Sequence, residues 1–314
     1  MSHLILPSRW KAASYDALTA GRHVLIGASE VVFETQTAYQ HLVIAEVPEF
    51  GRALFLDGNV QLMAIDEDVY HERIALLPVL AHPTPKHVLI LGGGDGCAAR
   101  EALRDPGVER VTLVDLDPGV VEACRQHLAA MNAGSLDNAR VQVHTVDARL
   151  FLTPEQLATV DVVIIDFLDA FSVDELRLYD EVLAATAAHV NPQAILSVHG
   201  DLTAPPYWPA LRLLALARRH FPQVVLHEAF VNSYGSNWGF MLAGHDPALA
   251  ERLTGPALRA RAARLAQPVA TLNLDLFPTL LQPTPKLARL IETVARDPFA
   301  LPGEHEPETS WLTV

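Results

Sequence analysis

The sequence predicts an α/β protein in which a mostly parallel sheet, covered on both faces, follows a small antiparallel β domain. Three features predict it. After a short linker, HPTPK (82–86), apolar runs alternate with helical segments. Before that linker, the chain reads as short alternating strands with turn signals between them. Where the first apolar run ends stands a glycine loop, GGGDG (92–96), at the expected passage from strand to helix.

The alternating strands run from Val31 to about Ala64: VVFETQTAYQHLVIAEV, then RALFLDG, then NVQLMAI, with hairpin signals at Phe50-Gly51 and Asp57-Gly58. A helix is expected from Glu67 through Leu80, ended by the two prolines of the linker. Its acidic start, Asp66-Glu67-Asp68, reads as a solvated helix entrance rather than a cation site. This places an N-terminal β-hairpin domain at 1–75 and a catalytic domain with a helical tail at 76–314. The apolar runs of the second part are HVLILG (87–92), RVTLVDLD (110–117), VQVHTVD (141–147), DVVIIDF (161–167) and AILSVHGD (194–201), with QVVLHEAF (223–230) and WGFMLAG (238–244) after them. Beyond Ala250 come a helix, a proline-rich passage (277–286), another short helix and a polar end.

Composition narrows the function. Hydrophobic content of 50% with 19% charged residues describes an ordinary globular chain. The formal net charge of −14 argues against a nucleic-acid surface and suits a cationic small molecule better. Two cysteines, Cys97 and Cys124, have no metal-ligand spacing and form no disulfide framework. The N-terminus lacks a signal pattern and no apolar run reaches membrane-spanning length, so a cytoplasmic protein with no membrane partner is expected.

In parallel sheets ligands bind beyond the carboxyl ends of the strands, and here those ends are acidic: Asp115 and Asp117, Asp147, Asp166 and Asp201. Asp115 ends the strand after the glycine loop, where an acid grips a ribose diol. That fits NAD enzymes, methyltransferases and other adenosine binders alike. Asp147 with Ala148 supplies an acid and a backbone N–H for the amine and ring nitrogen of adenine, which tilts the choice toward a sulfonium donor. Asp95, inside the loop, is either a helix cap or the partner of a ligand's amine; it would repel a methionine carboxylate. Asp166 and Asp169 are either turn-forming aspartates or a pair that holds an ammonium and removes its proton.

The ordered motifs LDGNVQ, DEDVYHE and GGGDGCAARE, with VDLDPGVVE, VDARLFL and DVVIIDFLDAF, resemble the polyamine aminopropyltransferases, the spermidine synthase family, over about Tyr39 to Phe240. The resemblance implies a Rossmann-like methyltransferase-type domain behind an N-terminal β domain. It implies decarboxylated S-adenosylmethionine as co-substrate, an amine acceptor, release of 5′-methylthioadenosine, no further cofactor and no metal, and a homodimer or homotetramer. By motif position, Gln40 contacts the ribose region, Asp115 the ribose hydroxyls, and Asp147 with Ala148 the adenine. Asp95 binds the aminopropyl ammonium, Tyr70 and His71 line the amine channel, Asp169 positions the acceptor, and Asp166 accepts the proton. The resemblance breaks at the gate loop, where Phe167, Leu168 and the run Ala170 to Val173 replace the usual hydroxyls and prolines and suggest a more apolar lid. It breaks also at His199, where glutamine is usual, at Asn273, and at Cys97, read as a small buried thiol. Tyr234 in NSYGSNWGF is the candidate aromatic wall. The competing readings are a methyltransferase using intact S-adenosylmethionine and a non-catalytic paralogue that binds nucleosides or polyamines.

Overall fold

The computed structural model describes residues 12–19, 22–167, 169–170, 172–202, 208–275 and 285–299. Leu168, Phe171, the proline-rich passage over 276–284 and the side chain of Asp201 lie outside the described residues.

Strands β1 (Ala12–Thr19) and β2 (Arg22–Ala28) pair as an antiparallel hairpin. Sequence reading assigns nothing here, because AASYDALT is alanine-rich and poor in β-branched residues. A four-stranded antiparallel meander follows: β3 (Glu30–Gln36), β4 (His41–Val47), β5 (Gly51–Leu56) and β6 (Asn59–Met63). The β5–β6 turn puts both Asp57 (φ 49°) and Gly58 (φ 82°) in the left-handed region, the conformation that makes Asp-Gly a strong hairpin signal.

The expected helix over Glu67–Leu80 forms in three pieces: α1 (Glu67–His71), a π-helical turn (Glu72–Leu76) and α2 (Leu77–Ala81). It stops at His82, which takes an extended conformation (φ −76°, ψ 137°) as the residue before a proline must. Its entrance is not solvated. Asp66 is only 2% exposed and accepts the Ser233 backbone N–H at 2.8 Å. Glu67 is paired with His71 and Arg100.

The second sheet has seven strands in the order β12-β13-β11-β10-β7-β8-β9, with β7 (His87–Gly92), β8 (Arg110–Asp115), β9 (Val141–Thr145), β10 (Val162–Asp166), β11 (Ile195–Leu202), β12 (Gln223–Val231) and β13 (Ser236–Gly244). Strands β9, β8, β7, β10 and β11 are parallel to their neighbours, and β13 enters antiparallel between β11 and β12. Period-two alternation splits β7 and β10 between two cores. Val88, Ile90, Val162 and Ile164 face the core shared with the N-terminal sheet. Leu89, Leu91, Val163 and Ile165 face the core under α7 (Val173–His189) and α8 (Trp208–His220). Helices α3 (Cys97–Ala102) and α4 (Pro118–His127) follow β7 and β8, with the short α5 (Ala129–Asn132) and α6 (Pro154–Leu157) after them. The strand order reverses between β7 and β10, which is where a ligand crevice is expected.

Candidate active site

The glycine loop closes on itself and on neighbouring acids. Gly92 and Gly93 have φ of 88° and 68°. A Cβ on Gly92 would stand 2.0 Å from the Asp166 carbonyl oxygen, so glycine is required. Gly93 N–H donates to that carbonyl at 3.0 Å, Gly94 N–H to Asp115 Oδ2 at 2.9 Å, and Gly96 N–H to Gly93 O at 2.9 Å. Cys97 N–H, at the start of α3, donates to Asp95 Oδ1 at 2.7 Å. Of the amides that such loops present to phosphate, those of Gly93, Gly94, Gly96 and Cys97 are here taken by carboxylates and carbonyls. Asp95 therefore braces the helix entrance with one oxygen while lining the cleft beside it.

That cleft, about 720 Å³, lies between the N-terminal meander and the carboxyl ends of β7, β8 and β10. The ten residues given site roles from the sequence line it: Gln40, Tyr70, His71, Asp95, Asp115, Asp147, Ala148, Asp166, Asp169 and Tyr234. At one end, Asp115 receives the N–H groups of Gly94 and Asp117. Burial pushes its carboxyl up to about 6 against those hydrogen bonds, helped by the charges of Asp95 and Asp117. Gln40 reaches this end but donates its amide to Asp117 Oδ2 at 3.0 Å, where Thr37 Oγ1 also donates at 2.7 Å. Asp117, 2% exposed, thus ties the N-terminal sheet to the start of α4.

At the other end, Tyr70 donates its hydroxyl to Asp166 Oδ1 at 2.7 Å. Burial raises the Asp166 carboxyl above its ordinary range, the charge of Asp95 raises it further, and His71, His199 and the Tyr70 hydrogen bond oppose the rise. One ligand atom from each of His71, Asp95 and Asp166 lies within 4.8 Å of the others. His71 Nδ1 lies 2.9 Å from Glu67 Oε2, and Nε2 lies 3.7 Å from Asp95 Oδ1. Burial opposes its charge, but the Glu67 hydrogen bond and the two carboxylates lift it to about 9, so His71 is an imidazolium at neutral pH. Glu67 is held by Arg100 through two bonds of 2.7 and 2.9 Å. Burial would raise its carboxyl, yet His71 and Arg100 bring it down to about 2. Among the described residues, two groupings have metal-ligand proximity, Glu67 with His71 and Cys97, and His71 with Asp95 and Asp166. Both include His71, whose pKa the surrounding carboxylates raise, and burial pushes the Cys97 thiol well above its usual range.

Around the amine end, the Tyr70 ring stands edge-on to Tyr234 (6.1 Å) and Phe240 (5.3 Å), and Tyr234 stands edge-on to Trp238 at 4.8 Å. Tyr234 Oη donates to Gln61 O at 2.6 Å, which fixes its place against the N-terminal sheet. His199 Nε2 lies 2.9 Å from both Tyr179 Oη and Phe167 O, and Nδ1 lies 3.9 Å from Asp169 Oδ1. Phe167 packs on the Tyr179 ring at 5.0 Å, and Ser172 starts α7 with a full capping box to Glu175. The substituted gate residues thus fasten the loop to α7 and β11. Sequence reading missed Gln61 and Trp238, although Gln61 sits in the quoted LDGNVQ motif, and it named Asp117 as a strand-end acid without its bonds to Gln40 and Thr37. It missed Arg149 as well, whose guanidinium pairs with Asp147 at 2.6 Å.

The family model for the spermine/spermidine synthase domain matches residues 67–251, and that for the spermidine synthase tetramerisation domain matches residues 10–73. A polyamine aminopropyltransferase of Serratia proteamaculans is 35% identical over 238 residues, covering 75% of this chain and 82% of that protein. One from Leptospira interrogans is 38% identical over 240 residues, 74% of this chain and 47% of that protein, so the chain spans about half the length of that relative. Polyamine aminopropyltransferase 2 of Pseudomonas aeruginosa is 35% identical, covering 68% of this chain and 62% of that protein. The crystal structure of spermidine synthase from Thermotoga maritima superposes with a TM-score of 0.79 at 22% identity, over 92% of this chain and 97% of that one, a likeness of fold.

Proposed function

Because the chain belongs to the spermine/spermidine synthase family, we propose that it is an aminopropyltransferase moving the aminopropyl group of decarboxylated S-adenosylmethionine to a diamine or polyamine, putrescine first among them. The observation that carries this reading is the pairing of a buried, hydrogen-bonded Asp166 with Asp95 beside a glycine loop in which the Gly93, Gly94 and Gly96 amides are already bonded. Two carboxylates so placed attract an ammonium group. In this scheme Asp115 takes the ribose hydroxyls and Asp147 with Ala148 the adenine, while Gln40 acts through its bond to Asp117. Asp95 holds the donor's ammonium and disfavours a carboxylate at the same place. Asp169, Tyr70, His71 and Tyr234 orient the acceptor amine. Asp166 takes a proton from the acceptor ammonium. The freed nitrogen attacks the carbon next to sulfur, the N–C bond forms as the C–S bond breaks, and the sulfonium leaves as the neutral thioether 5′-methylthioadenosine. The name of the tetramerisation model supports a homotetramer or homodimer, with residues 1–75 and 76–314 as the two units. Two buried free cysteines fit the reducing cytoplasm.

The test is incubation with decarboxylated S-adenosylmethionine and a panel of putrescine, cadaverine, agmatine and spermidine, monitoring methylthioadenosine; no product with any amine sinks the reading. Asp166→Asn should lower turnover by roughly 10²–10⁴ while nucleoside binding persists. Loss of both together would mean that Asp166 is structural.

A further inference from the structure

The adenine end of the cleft carries a cation of its own. Asp147 Oδ1 accepts the backbone N–H of Arg149 at 2.9 Å and its Nε at 3.1 Å; Oδ2 accepts Nε at 3.1 Å and Nη2 at 2.6 Å. Three N–H groups thus engage both carboxylate oxygens, the single Nε hydrogen being shared between them. The pair lies on the cleft wall beside Leu116, an apolar side chain left 47% exposed at the end of β8, which a flat base would cover. Both partners are partly exposed, 58% for Arg149 and 34% for Asp147, so the bond is weak enough to be exchanged.

We propose that Arg149 is a specificity-determining residue of the nucleoside end: its guanidinium occupies the Asp147 carboxylate that a purine's exocyclic amine would use, so adenine binds there only by displacing it. The inference rests on the donor reading above. The backbone N–H of Arg149 holds Asp147 independently of the guanidinium, so removing the side chain leaves the carboxylate in place and open to the amine. A purine with a carbonyl at the same position behaves oppositely, because it accepts from Arg149 and is repelled by a bare carboxylate.

Calorimetric titration of wild type and Arg149→Ala with 5′-methylthioadenosine and 5′-methylthioinosine tests this. The variant should bind the adenosine compound about tenfold tighter and the inosine compound more weakly, the size expected for exchanging one charge-assisted hydrogen bond. Added KCl screens the wild-type pair, so wild-type affinity for the neutral adenosine compound should rise with salt while that of the variant stays level. An unchanged preference between the two nucleosides, or weaker adenosine binding by the variant, overturns the inference and leaves the donor reading standing. Binding of neither nucleoside by either protein overturns both.

Discussion

Replacing Glu67 by glutamine asks whether the cation beside Asp95 is set by the chain of contacts from Arg100 through Glu67 to His71. Both ring nitrogens of His71 face oxygen atoms: Nδ1 is 2.8 Å from Glu67 O and 2.9 Å from Glu67 Oε2, and Nε2 is 3.7 Å from Asp95 Oδ1. Its side chain is 2% exposed, so these contacts act with little solvent screening. The rise from 6.5 to about 9 corresponds to about 3 kcal/mol favouring the folded imidazolium. Because the folded value is raised, this stability is fully present below pH 6.5 and is lost as pH climbs through about 9. Glu67, lowered from 4.5 to about 2, reports the same pair from the acid side. Its share is present above 4.5 and is lost as pH falls through 2, and the two are not summed. In ¹³C-histidine NMR titrations, wild type should show one ring with a midpoint near 9, moved down by at least ~1 unit in Glu67→Gln. Chemical denaturation at pH 6.5 and above 9 should show wild type losing about 3 kcal/mol more than His71→Gln across that interval. A His71 resonance titrating near 6.5 in both proteins would refute the reasoning.

Three further outcomes follow from the loop and its acids. Gly92→Ala places a Cβ 2.0 Å from a backbone carbonyl at φ 88°, so it should cost on the order of 3 kcal/mol or more; a loss below ~1 kcal/mol in thermal denaturation would contradict that. Tyr70→Phe removes a hydrogen bond that lowers the Asp166 pKa, so the acid limb of the kcat/KM profile should shift to higher pH; a limb that stays put would exclude Asp166 as the base. Asp95→Asn should erase most of the preference for decarboxylated over intact S-adenosylmethionine, roughly tenfold by calorimetry, and an unaltered ratio would remove Asp95 from the ammonium site.

The sheet strands were legible because a strand covered on both faces must be apolar throughout, as in HVLILG and DVVIIDF, and such runs have few other readings. The strand-end acids were legible for the converse reason: four apolar runs that each finish on a carboxylate are not explained by packing. The acids at the start of α1 were misread, because their compensation is tertiary. Glu67 is satisfied by Arg100, thirty-three positions on, and Glu72 by Arg104 together with the backbone N–H groups of Ala270, Thr271 and Leu272. No local pattern announces such a partner, so an acidic helix start reads as solvated when it is buried. Arg149 failed differently. It stands two residues from Asp147 in plain view, but only the folded turn shows that its guanidinium folds back onto that carboxylate.

The charges around Asp166 bear on how the proposed reaction would proceed. Asp95, Asp166 and Asp169 line the amine end, and His71 stands 3.7 Å from Asp95. The Asp166 carboxyl is raised by burial and by Asp95, so in the empty cleft it resists ionisation. In the proposed reaction a bound sulfonium and a bound ammonium each lower it and so favour the ionised carboxylate. In that reaction the carboxylate takes the acceptor's proton before attack, and as the C–S bond breaks the positive charge passes from sulfur to the attacking nitrogen, so a cation faces Asp166 throughout.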